Sequence, residues 1–294
     1  MLGGTLVAVV FELAAVVTTM LVAATLVIVG PRRLVAACRD ARWRLRSCLL
    51  PLAALAAVLF VRWATGDLLT QIEWRILGQN ITYQLFVIDV GLLPVAPVEF
   101  LQSLETPELT AYFVFVYIYG YAFLLLFPFV AYFALEEVDD LSTLLVAFTA
   151  NYAIGLLLYI VFIAYGPRNF DPLLFEGLLY DAFPRAHWLT NQVNQNTNVF
   201  PSLHTSLSMT VFFLAWHTRE KYPLWAGLSG VLAISIVVST MYLGIHWFAD
   251  VVGGTVLAMV SVYLARRYTI AQLLRSVLRG IDGVLTSRNR PGSE

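Results

Sequence analysis

Charge is scarce in this chain. Only 13% of its 294 residues are Asp, Glu, Lys or Arg, against 60% hydrophobic, which leaves too little polar side chain to cover a water-soluble globule of that size. The net charge of -1 offers no basic surplus for a phosphate backbone, so nothing in the balance suggests nucleic acid and none is expected as a partner. Cysteine is scarce too. Cys38 and Cys48 are the whole complement, and they lie in or beside one basic loop with no CxxC pair and no metal-ligand spacing. Neither a disulfide framework nor thiol redox chemistry is indicated. The first apolar run, about Thr5 to Val29, lacks a basic stretch ahead of it and exceeds the roughly 7 to 15 residues of a signal-peptide core, so it reads as a retained helix.

What the chain has in quantity is long apolar runs. A bilayer core of about 30 Å needs about 20 apolar residues per helix, and by that measure spans fall at 5–29, 48–64, 110–135, 141–165, 203–218, 223–243 and 246–266. The predicted fold is therefore all-α, a polytopic transmembrane helical bundle of about seven spans. Residues 1–140 supply N-terminal membrane helices, 141–266 a core that carries the chemistry below, and 267–294 a tail. Within that tail, Ile270 to Leu285 alternates apolar residues with arginine and reads as a basic amphipathic helix, with the remainder disordered.

Basic residues set the expected orientation. The loop from Pro31 to Ser47 carries six arginines against Asp40 alone, which places it in the cytoplasm. Each later loop then takes a side: fourteen basic residues fall inside, and Arg62, Arg75, Arg168 and Arg185 fall outside. The acidic loop from Glu136 to Asp140 is on the inner side, but acidic residues weigh little in this bias. A multi-pass cell-membrane protein results, with its N-terminus outside and its C-terminus in the cytoplasm.

Between Gly66 and Leu109 the composition turns acidic and proline-containing, with Trp74, Ile76, Leu77 and Tyr83 loosely on one helical face. One or two helices at the outer interface are expected over 66–109, with a further span as the alternative. Glu12, if charged in mid-bilayer, costs about 2.5 kcal/mol or more, so it should face the bundle or hold a proton. The tyrosines of the run from Tyr112 to Phe133 read as packing and interfacial anchors rather than as a lipid groove. Gly227, Gly230, Gly253 and Gly254 read as places where helix backbones approach closely. From Gly166 to Phe200 an outer loop of some 35 residues carries His187 and the amide-rich stretch Asn191 to Asn198, which could meet a polar headgroup or simply be solvated.

Two of the four histidines stand at the mouths of spans. His204 closes Pro201-Ser202-Leu203-His204, and His246 lies four residues before Asp250. On a helix that spacing puts His246 and Asp250 on one face. The carboxylate can then accept Nδ1–H, fix the tautomer, and leave Nε2 as nucleophile or base. Pro201 suits the first turn of a helix, and the amides of Ser202 and Leu203 would be among those left open for a phosphate. His204 on the same turn can protonate a leaving alkoxide. Phosphoryl transfer asks for this kind of positioning and charge stabilisation, and no cofactor or metal is expected.

These residues resemble the type 2 phosphatidic acid phosphatase superfamily, whose later signatures read PSGH and SRxxxxxHxxxD. Here they stand as Pro201-Ser202-Leu203-His204 and as Ser239-Thr240, five residues, His246, three residues, Asp250. The phrases FPSLHTS and STMYLGIHWFADVVGG look most like the inositol phosphorylceramide synthase branch. The resemblance covers about 141–266 and implies a metal-independent six-helix core. It implies His246 as nucleophile, Asp250 as its orienting partner, and His204 as acid and then base. Ser202, Leu203 and Ser239 would lie at the substrate, and Arg168, with Arg185 as its rival, would hold phosphate. Three departures stand out: Leu203 replaces a glycine, Thr240 replaces an arginine, and the lysine of the KxxxxxxRP signature has no counterpart. With fewer cations, a phosphodiester with one negative charge is favoured over a dianionic monoester.

The expected function is a lipid phosphotransferase or phosphatase acting on lipid phosphate esters at the outer leaflet through a phosphohistidine, with membrane lipid as substrate. Hydrolysis alone, on a phospholipid or polyprenyl phosphate, is the alternative. A proton-coupled transporter using the His/Asp cluster would need ionisable residues across several mid-membrane helices and inverted repeats. The sequence has neither.

Overall fold

The computed structural model describes residues 2–64, 79–92, 94–185, 198–276 and 279, and these are helical almost throughout. Helix α1 (Leu2–Ala24) runs on through a π-turn at Thr25–Val29. The arginine-rich loop is itself helical, as α2 (Pro31–Arg39) and α3 (Ala41–Ser47). Helix α4 (Leu49–Ala64) follows α3 at a bend of 64°. Then come α5 (Thr82–Leu92), α6 (Pro97–Gln102) and α7 (Pro107–Phe115). A π-turn at Val116–Gly120 leads from α7 into α8 (Tyr121–Phe133). Helix α9 (Asp139–Val161) precedes two short pieces, α10 (Pro167–Phe170) and α11 (Leu178–Ala182). The chain closes on α12 (Leu203–His217), α13 (Pro223–Tyr242) and α14 (Phe248–Arg267).

Local chemistry explains several of these boundaries. Thr106 caps α7, its side chain accepting the Leu109 amide at 3.2 Å, with Pro107 at the first helical position. Asp139 and Asp140 open α9, and Arg266 and Arg267 close α14, each charge opposing the helix dipole at that end. Buried Arg44 donates to the carbonyls of Phe133 (3.1 Å) and Leu135 at the end of α8. One of the loop arginines therefore satisfies carbonyls that α8 cannot satisfy itself.

Five helices are long and apolar enough to cross a membrane, or up to six if the bent α3–α4 pair counts as one span. The seven expected stretches differ from this at α12. Its 15 residues rise about 22 Å, short of a bilayer core of about 30 Å. Helix α1 is peripheral, with 11% of its apolar window buried against 50% for α7–α8, α9 and α13. Glu12 on α1 accepts the Tyr119 hydroxyl at 2.7 Å. Unlike α1, α12 is central, packed against α13, α14, α9 and α8. Its inner face is polar: Ser206 donates to Asn151 Oδ1 at 2.8 Å, and Asn151 donates to Thr210 at 3.1 Å, all fully buried. Gly254 on α14 lets α12 approach, since a Cβ there would stand 2.5 Å from the Ser202 carbonyl. Gly227, read from sequence as a close-approach position, has open space around it.

Two small apolar clusters fasten the connecting segments onto one end of this bundle. One joins Leu85, Val98, Phe175 and Trp247, and the other joins Phe113, Leu179, Tyr242 and Ile245. A pair of two-residue parallel strands, Gln79–Asn80 against Phe162–Ile163, and a bridge from Ala164 to Asn198 add to the fastening. Within 66–109, the described residues form the first of these strands, α5, α6 and the start of α7. Trp74, Ile76, Leu77, His187 and the amides from Asn191 to Thr197 lie outside the described residues, as does the tail from 280 onward, while 270–276 is helical.

Candidate active site

The turn that presents His246 is held from behind. After α13 ends, the Thr240 carbonyl accepts the amides of Ile245 and His246, both at 3.0 Å. Gly244 takes φ 70°, and a side chain there would collide with the Glu176 carbonyl, so this turn depends on glycine. His246 thus sits in a turn and not on a helix, which corrects the expectation of a shared helical face with Asp250. Helix α14 starts at Phe248 with Trp247 as its N-cap. Asp250 folds back over that start, its Oδ2 accepting the Trp247 amide at 2.8 Å, because a helix N-terminus attracts a carboxylate. The same Oδ2 stands 3.4 Å from His246 Nδ1.

Both partners are sealed off, His246 at 2% exposure and Asp250 at 0%. Burial pushes the His246 imidazole down to about 3, aided by the Arg168 guanidinium and opposed by the Val199 carbonyl. The ring is therefore neutral near pH 7 and has a lone pair to offer. Among the described residues, His246 Nδ1 and Asp250 Oδ1 have no hydrogen-bond partner. Contacts of this kind tighten when substrate binds.

His204 opens α12 opposite this pair. Its half-buried ring lies between Tyr117 and Tyr121, at centroid distances of 4.6 Å and 4.4 Å. The His204 and His246 ring centroids are 6.3 Å apart. That is too far for a direct bond and fits a phosphoryl group between them, with the attacking nitrogen at about 3 to 3.5 Å.

Ser202 caps α12, its Oγ accepting the Thr205 amide at 3.2 Å. Its own amide donates to the Asp250 carbonyl at 3.1 Å, which corrects the reading of Ser202 N–H as open to phosphate. This bond instead ties the turn carrying His204 to the turn carrying Asp250. Pro201 lies ahead of the helix rather than in its first turn, in a cis peptide with Phe200. The buried Leu203 side chain fills room left by Gly155 on α9, where an added Cβ would come within 2.7 Å of it. Ser239 is not turned to the site, since its hydroxyl donates to the Ile236 carbonyl of its own helix at 2.7 Å.

Of the two rival arginines, Arg168 is brought in and Arg185 is left exposed on a turn. Arg168 donates through Nη2 to the Tyr180 hydroxyl at 3.0 Å, over whose ring it lies at 4.4 Å. Its backbone amide donates to the Gly244 carbonyl at 3.2 Å. Its Nη1 is buried and has no partner among the described residues, an arrangement that costs about 1 to 3 kcal/mol unless an anion completes it. The chain's one lysine, Lys221, sits past the far end of α12 and pairs with Asp140 at 2.6 Å.

Sequence reasoning missed two parts of this arrangement. Tyr117 and Tyr121 read from sequence as packing residues, and the structure brings both rings against His204. Asp89 on α5 is fully buried, and its Oδ1 accepts the Phe248 amide at 2.7 Å. Its carboxyl is pushed up to about 6 by burial and by the Asp250 charge, against the pull of the Phe248 and Ala249 amides. Trp247 locks the turn further: fully buried, it donates from its indole to the Tyr165 carbonyl at 2.8 Å and meets Phe86, Phe170 and Phe175 edge-on.

Comparison with known proteins gives a consistent picture. The PAP2 superfamily matches residues 87–264, which includes Asp89 and every residue of the site above. A putative undecaprenyl-diphosphatase, YbjG, of Escherichia coli is 42% identical over 65 residues, 21% of this chain and 30% of that protein. Phosphatidylglycerophosphatase B of Bacillus subtilis is 28% identical over 100 residues, 34% of this chain and 44% of that one. An uncharacterized protein of Methanocaldococcus jannaschii is 43% identical over 58 residues, 20% of this chain and 23% of that one. The chain thus spans less than half the length of each of these relatives. No solved structure matches it.

Proposed function

The chain belongs to the PAP2 superfamily, and from that premise we propose that it cleaves a phosphate ester of a membrane lipid through a phosphohistidine on His246. The observation that carries this reading is the gap of 6.3 Å between two imidazoles, one of them backed by a carboxylate at 3.4 Å. Asp250 accepts Nδ1–H of His246, and Nε2 attacks phosphorus. As the P–N bond forms, the P–O bond to the leaving group breaks, and His204 gives that oxygen its proton. The second step reverses these roles: His204 takes the proton of an incoming hydroxyl, whose oxygen attacks, and the P–N bond breaks. Arg168, with a buried donor that has no partner among the described residues, steadies the charge on the phosphoryl oxygens throughout.

The acceptor is water in a phosphatase and a lipid alcohol in a phosphotransferase, and we place the reaction at the non-cytoplasmic leaflet on the distribution of arginines. Hydrolysis has specific support in two similar proteins, a putative undecaprenyl-diphosphatase and a phosphatidylglycerophosphatase. The test is to incubate purified protein with lipid phosphate monoesters, diphosphates and diesters, with and without a lipid alcohol. Orthophosphate and lipid masses are then followed. Orthophosphate release that disappears in His246→Ala is expected for the phosphatase, and for the transferase a new phosphate ester of the added alcohol, a monoester from a monoester or diphosphate donor and a diester from a diester donor. Turnover that survives His246→Ala would overturn both.

A further inference from the structure

Among the described residues the proposed site holds one cation, Arg168, whereas the signatures it resembles have three. The missing charge is not recovered from Lys221, which lies beyond the opposite end of α12, or from exposed Arg185. We propose that Arg62, in the last turn of α4, is the second phosphate-holding cation, positioned on the His204 side of the site as Arg168 is on the His246 side.

Helix packing puts it there. Helix α4 packs along α9, and the two run in the same direction, because Cys48 at the foot of α4 contacts the Val138 carbonyl at the foot of α9 at 4.0 Å. Arg62 lies fourteen residues past Cys48, and Tyr152 lies fourteen residues past Val138. At about 1.5 Å per residue both stand about 21 Å up their helices. Tyr159 is two turns further on, and Leu203 and Leu257 pack against it at the head of α12. At that level the Arg62 charge acts on Tyr121, Tyr152, Tyr159 and His204.

A cation in an apolar helix is costly without a counter-charge. Arg62 is half-buried, whereas its neighbours Val61 and Trp63 are exposed. Among the described residues no carboxylate pairs with it; the ion pairs found there are Lys221–Asp140 and His246–Asp250. The groups on which its charge acts, the three tyrosines and His204, are not anions at pH 7. A bound phosphate ester supplies the counter-charge. With two arginines flanking the imidazole pair, the site accommodates a dianionic monoester or diphosphate, and the expected preference for a phosphodiester falls away.

This inference rests on the phosphoryl-transfer reading of the site, and its test is chosen to fail separately. Orthovanadate, a phosphoryl mimic, is titrated against the purified full chain and binding is read by thermal shift, in parallel with lipid phosphate turnover. Arg62→Gln should weaken vanadate at least tenfold, and Arg62→Lys, a point charge without the fork, by less. Trp63→Phe, on the outward side of the same turn, should bind vanadate like the wild type. If Arg62→Gln does not survive extraction, Arg62→Lys carries the test, with a threefold to tenfold loss expected. Vanadate binding within twofold of wild type in the Arg62 variants, or no vanadate binding by the wild type, overturns the proposal. Vanadate binding that needs Arg62 in a protein with no His246-dependent turnover would keep the anion site and end the phosphohistidine reading.

Discussion

A neutral imidazole with a carboxylate behind it is a nucleophile only while both are held. Asp250→Asn separates charge from geometry, because asparagine still offers an oxygen to the Trp247 amide while losing the negative charge that stabilises imidazolium. We expect kcat to fall about 10²- to 10⁴-fold, in line with general acid–base contributions, with an unchanged melting temperature. Asp250→Ala should lose activity and also about 1 kcal/mol of stability with the cap. Steady-state kinetics beside thermal melting separates the two variants. At this scale the pairing of His246 with Asp250 was legible from their spacing, but its mechanism was not. The two residues meet across a helix cap, since Trp247 is the N-cap of α14 and His246 lies ahead of it. The stacking of His204 between Tyr117 and Tyr121 was illegible because the π-turn at Val116–Gly120 has no periodic signature, although such turns gather at functional sites.

The N-terminus of α14 is where the element scale matters most. Two carboxylates share it: Asp250 from within the helix, and Asp89 from α5, a partner 159 residues away in sequence. Asp89 holds its proton in the folded protein up to about 6, above the ordinary 3.8. The fold therefore binds that proton more tightly than the unfolded chain does. The stabilisation is present below about pH 4 and is lost as the pH rises through about 6. Asp89→Asn keeps the oxygen for the Phe248 amide, so its melting temperature should lack this decline between pH 4 and pH 7. A wild type and variant that fall in parallel would place the titration elsewhere. Gly244→Ala tests the turn itself, where φ of 70° and the Glu176 carbonyl both oppose a side chain. Activity should fall by more than tenfold, with destabilisation of about 1 to 3 kcal/mol. Helix α5 lay within a stretch read from sequence as interfacial, and nothing local to Asp89 pointed to a partner so far along the chain.

For the whole molecule, composition alone gave the class: an apolar, charge-poor chain folds as membrane helices. The number of spans was less legible, because α12 is short for a crossing and α4 joins α3 at a bend of 64°. Orientation rests on arginine placement and has a direct check. Cys38 is exposed on α2 while Cys48 is buried, and Leu173, at 96% exposure, lies on the loop just beyond Arg168. In intact cells a membrane-impermeant maleimide should label Leu173→Cys and leave Cys38 untouched. Labelling of both from the same side would contradict the assigned topology.

A phosphohistidine mechanism is decided by where phosphorus goes. Purified protein should be mixed with a lipid substrate labelled at phosphorus, quenched in alkali within one turnover, digested, and read by mass. An acid-labile, base-stable phosphoramidate is expected on the peptide containing His246, absent in His246→Ala. Full turnover with no label on the protein, or with label on another residue, would contradict it.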